Sequence, residues 1–210
     1  DDSSRINNTL SSNPDLKTLI LVGDSSNPTE LFDISTQDVT FTTGLVVEFD
    51  TGAVLNVSSG RTVTLRCEID APLRKIFQGE GKVLVSTGHN IEALYPQWWG
   101  ATPNNATDDD APAIQAAIDA AEGATGDQLR QGPPVHLTAG IWHVEDPIYI
   151  GYDTENYSGS RTDLYNIRQG SDDSPAARMP VVRLACPGGP EAVLFFNGAE
   201  SDGSEYMIYM

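Results

Sequence analysis

A chain of 210 residues can bury one sizeable core or two small ones. It carries 30 acidic against 12 basic residues, a formal charge of −18, and no Lys/Arg cluster, which argues against nucleic acid or an anionic membrane surface as partner. No apolar run is long enough to cross a bilayer, and two cysteines are too few for a disulfide framework.

The chain opens on Asp1-Asp2-Ser3-Ser4, without a basic and apolar signal stretch, as expected if a signal was removed or if the protein is a virion part. Residues 1–17 are polar and weakly periodic, and read as a loosely ordered arm. Leu19-Ile20-Leu21-Val22 reads as a first strand, stopped by Gly23-Asp24 and Asn27-Pro28.

The segment 18–94 carries an internal repeat. Gly44, Gly52 and Gly60 are spaced eight apart, each after a small polar residue. Two apolar columns keep step with them: Val39, Val47, Leu55, Val63, and Phe41, Phe49, Val57, Leu65, extended by Leu73. Polar residues alternate between them (Thr40, Glu48, Asn56, Thr64), the period of half-buried strands. Two architectures fit this period. One is a solenoid whose coils have three sides and about two dozen residues. The other is an antiparallel meander with regular tight turns. Cys67 and Cys186 alternate with apolar neighbours, which predicts two buried free thiols.

Tyr95-Pro96-Gln97-Trp98-Trp99-Gly100 follows. The paired indoles suit either a sugar-stacking platform or a plug over a core, and the helix signal directly after them favours the plug. That helix is predicted over about 108–122. Asp108, Asp109 and Asp110 are its capping residues, Pro112 lies in its first turn, Ile114, Ala117, Ile118 and Ala121 share one face, and Gly123 stops it. The three Asp also admit a Ca²⁺ reading, although the spaced ligand pattern of a calcium loop is missing; no other cofactor or metal is expected.

Strands are then predicted at 135–137, 141–144 and 147–150. A loop excursion fills 151–179, and strands resume at 180–184, 192–196 and 206–209. Tyr152 and Tyr157 in the excursion, with Trp98 and Trp99, are the candidate carbohydrate-binding residues. Nothing resembles a closing cap before residue 210, so a continuation is expected. Sequons at Asn7, Asn56, Asn105 and Asn156 are candidate glycosylation sites.

Three phrases together resemble the pectate-lyase-like (pectin lyase-like) right-handed β-helix superfamily, in the N-terminal portion found in phage tailspikes and secreted bacterial polysaccharide-active proteins. They are Tyr95 through Ala101, Thr107-Asp108-Asp109 through Ala121, and Val135 through Trp142 followed by Pro147-Ile148. The resemblance covers about residues 71–150. Two turns depart from it, with Pro103-Asn104-Asn105-Ala106 and Thr138 where the family often has Gly-Asp-Gly and Pro. It implies a mainly β fold, a right-handed parallel β-helix, in which the helix shuts one end of the ribbon and residues 95–210 begin the coils. It also implies a polysaccharide or cell-surface glycan as partner, a homo-oligomer (a trimer in a tailspike), and an extracellular or virion-surface location.

Activity is not implied with it, because this scaffold carries lyases, hydrolases and inert adhesins. No catalytic residue carries across from the family to this chain. The acids Asp153, Glu155, Asp163, Asp172 and Asp173 could serve a hydrolase, and His136 and His143 could exchange protons near neutrality, but no fixed spacing links any of them. Three functions follow: a glycan-recognising tailspike, fibre or surface protein; a secreted polysaccharide lyase or glycoside hydrolase acting from a downstream site; or a non-catalytic filament or cell-surface component.

Overall fold

The computed structural model describes residues 1–23, 30–123, 132–145, 148–149, 184–185, 192–196 and 208–209. Its first part contains nine short strands, taken in three passes. The first pass is β1 (Thr18–Leu21), β2 (Glu30–Ile34) and β3 (Val39–Phe41). The second is β4 (Val46–Phe49), β5 (Ala53–Val57) and β6 (Thr62–Leu65). The third is β7 (Glu68–Asp70), β8 (Phe77–Gln78) and β9 (Lys82–Val85). Each pass lays one strand on each of three sheets, in the orders β1-β4-β7, β2-β5-β8 and β3-β6-β9. Every strand pair among the described residues is parallel.

The eight-residue repeat explains this path. Val39, Val47 and Leu55 lie on three different sheets, and the next member, Val63, returns beside Val39 as its register partner, 24 residues on (63 − 39). Gly44, Gly52 and Gly60 turn the chain between strands at φ of 81°, 84° and 73°, where a Cβ is disfavoured. The alternation then sorts side chains. Val39, Val47, Leu55 and Val63 are sealed inside, as are Phe41, Phe49, Val57 and Leu65. Each such burial contributes roughly 1.5–3 kcal/mol. The antiparallel meander is therefore not the arrangement adopted.

Leu73 does not continue its column. After Leu65 the period shortens: Val47 pairs with Ile69, 22 residues on (69 − 47), and the turn at Arg66-Cys67 has no glycine. Leu73 falls in the connection between β7 and β8 and is 54% exposed.

The expected N-terminal arm is a helix, α1 (Ser3–Ser12). Ile6 is buried and Leu10, one turn on, packs against the same core, an apolar stripe too short to stand out among polar residues. Hydrogen bonds fix α1 to the outermost strands. The Asp2 N–H donates to Asp33 O (2.9 Å), the Asp33 N–H donates to Asp2 Oδ2 (3.1 Å), and Asn7 Nδ2 donates to Asp38 O (2.9 Å). The helix thereby occupies open sheet edge at the leading end of the stack.

Beyond β9, Leu94 bridges in parallel to Val135, and a 3-10 turn (Pro96–Trp99) leads to α2 (Ala111–Glu122). Strands β10 (Val135–His136), β11 (Gly140–Val144) and β12 (Ile148–Tyr149) follow. They pair in parallel with β13 (Leu184–Ala185), β14 (Ala192–Phe196) and β15 (Ile208–Tyr209). The same rotation through three sheets thus resumes. α2 packs against β10 and β12, at the leading side of this second group, but also against β9 of the first. It is an internal layer rather than an exposed end. Its composition explains this: Ala113, Ala117, Ala120 and Ala121 are all buried, and such small side chains let neighbours approach from more than one side. One core runs through both groups, from Ile6 to Ile148.

Candidate functional site

Of the three Asp before α2, only Asp109 accepts a helix N–H among the described bonds; Asp110 holds the N-cap position without a side-chain bond to the helix. Asp109 Oδ1 accepts the Ala111 N–H (2.9 Å), in the first turn of α2, and also the Glu145 N–H (3.0 Å). Asp110 spends both oxygens elsewhere. Its Oδ1 accepts the Thr102 N–H (2.8 Å) and its Oδ2 accepts the His143 N–H (3.1 Å). Asn104 Oδ1 accepts the Ile141 N–H (2.9 Å). Ile141, His143 and Glu145 alternate along β11 and its extension, so their N–H groups share the edge not paired with β14. The reverse bonds are backbone ones, Asn104 N–H to Ile141 O and Asp110 N–H to His143 O, both 2.7 Å. Side-chain oxygens here replace the carbonyls of a missing strand.

Asp108 lies outside this clasp; its Oδ2 accepts Thr102 Oγ1 and Asn105 Nδ2, each at 2.7 Å. Burial pushes the Asp110 carboxyl above its ordinary range. The Thr102 and His143 N–H bonds and the nearby His143 imidazole oppose that shift, and Asp108 reinforces it. These oxygens are engaged by N–H and O–H donors, and no group of three or more His, Cys, Asp or Glu among the described residues is placed to hold a metal ion. Asn104 was not singled out from the sequence. Its signal is conformational, a non-glycine residue at φ 70°, tucked where a Cβ on Gly140 would collide with it.

The paired indoles take different places. Trp98 is only 3% exposed, stacked edge-on with Tyr95 at 5.4 Å, and its Nε1 is buried without a hydrogen-bond partner. Its ring is packed into the core rather than laid open to solvent. Trp99 is half-buried, tilted against Phe77 at 5.1 Å, and Phe77 meets Phe49 at 5.8 Å. Tyr95 also meets the His136 ring at 5.8 Å, which makes that histidine a packed, half-buried group. Beside them, Gln97 Nε2 donates to Thr138 Oγ1 (2.6 Å) and Trp142 Nε1 donates to Thr138 O (3.0 Å), joining the 3-10 turn to the β10–β11 connection.

The stack also presents outward rows. On the β2-β5-β8 sheet, Asp33, Asn56 and Gln78 are register partners in sequence, all half-buried, and Asn56 Nδ2 donates to Asp33 Oδ1 (2.7 Å). The β1-β4-β7 sheet aligns Ile20, Glu48 and Asp70; the β3-β6-β9 sheet aligns Thr40, Thr64 and Leu84. Parallel register places the members of a row about 4.8 Å apart, a regular array of hydrogen-bonding groups.

The three described sequon asparagines all have their amide engaged: Asn7 with Asp38 O, Asn56 with Asp33, Asn105 with Asp108. Asn56 lies inside β5, and its Nδ2 is the donor to Asp33 Oδ1. Asn156, Tyr152, Tyr157, Cys186 and the acids of the 151–179 excursion lie outside the described residues.

No family model matches the chain, and neither a curated protein nor a solved structure matches it.

Proposed function

We propose that the three stacked sheets are the walls of a right-handed parallel β-helix, and that the chain is the N-terminal part of a glycan-recognising tailspike, fibre or surface protein acting outside the cell or on a virion as a homo-oligomer. The observation that carries this reading is the outward row Asp33–Asn56–Gln78, repeated in register from pass to pass. A linear polymer with a repeating pattern of hydroxyls finds matching donors and acceptors at regular intervals along such a wall. The outward acids Asp33, Glu48 and Asp70, on a chain of charge −18, favour neutral sugars over uronates, which carry the same sign.

The test is binding of the purified chain to a panel of neutral and acidic surface polysaccharides, beside the double variant Asn56→Ala/Gln78→Ala. The reading expects a neutral glycan to bind and the variant, with unchanged circular dichroism, to lose at least tenfold in affinity. Binding to no glycan, or equal binding by the variant, would overturn it. Sedimentation of the same sample tests the spike form, which a monomer at all concentrations contradicts.

A further inference from the structure

We draw no further inference here: the strongest candidate, the exposed apolar side chains Ile20, Val22 and Leu31 on and beside the outermost strands β1 and β2, carries nothing because nothing in the structure shows what covers them.

Discussion

Asp110 and His143 are joined twice, through the Asp110 N–H to the His143 carbonyl (2.7 Å) and through Asp110 Oδ2 to the His143 N–H (3.1 Å). One residue thereby serves as the N-cap position of α2 and as a one-residue substitute for a strand beside β11.

Asp110→Asn removes the buried charge but leaves one oxygen where two backbone N–H groups need acceptors, and it turns an NH₂ toward one of them. The expected loss is about 1–3 kcal/mol, measured by urea unfolding. The pH dependence follows from the raised folded-state value. The contribution of Asp110 is full below the ordinary carboxylate pKa and falls as pH rises through the folded one. The advantage of the native chain over Asp110→Asn is therefore larger at pH 3 than at pH 7; the opposite order would contradict this assignment.

The glycines separate two kinds of cost. Gly44 has φ 81° with open space around a would-be Cβ, so Gly44→Ala is expected to lose about 1–2 kcal/mol from conformation alone. Gly79, at φ 98°, would drive its Cβ into the Val57 carbonyl, and Gly79→Ala adds a backbone clash to the same strain. Thermal unfolding of both variants should show Gly79→Ala clearly the less stable. Equal stabilities would mean that β8 does not approach β5 as described.

Cys67 is fully buried and its thiol is pushed up to about 12, chiefly by burial. In a Cys186→Ser background, a thiol reagent at pH 8 should leave the folded protein unlabelled and label one site in urea. Rapid labelling without denaturant would place Cys67 at the surface.

The columns through Val39 and Phe41 were legible because glycine spacing and apolar alternation share one period. Direction was not legible, since parallel and antiparallel paths give the same alternation. Leu73 misled because the period shortens at a turn without glycine. α1 was hidden by the scarcity of apolar residues around Ile6 and Leu10. The Asp run reads as a cap because its helix is adjacent, yet only Asp109 bonds a helix N–H, while Asp110 turns both oxygens to other backbone groups. The bond of Asp110 to β11 was not legible, because β11 lies some thirty residues on in the chain (143 − 110 is 33) and only the fold brings it back. Trp98 and Trp99 are identical as letters; burial against Tyr95 or against Phe77 is what separates them.

Truncating Trp98 should therefore differ from truncating Trp99. Trp98→Ala is expected to lose about 3–5 kcal/mol as a buried aromatic deletion, and Trp99→Ala less, because its ring is already partly in water. Chemical denaturation of the two variants checks the order, and a reversed order would contradict their placement.

Spin labels at Thr40→Cys paired with either Thr64→Cys or Glu48→Cys, in a chain with both native cysteines replaced by serine, discriminate the direction of the chain. Thr40 and Thr64 are register partners on the β3-β6-β9 sheet, whereas a hairpin turning at Gly44 would instead face Thr40 with Glu48. Strong dipolar broadening for the 40/64 pair and none for 40/48 is the predicted result; broadening for 40/48 alone would mean that these strands run up and down and that no three-sided parallel stack exists.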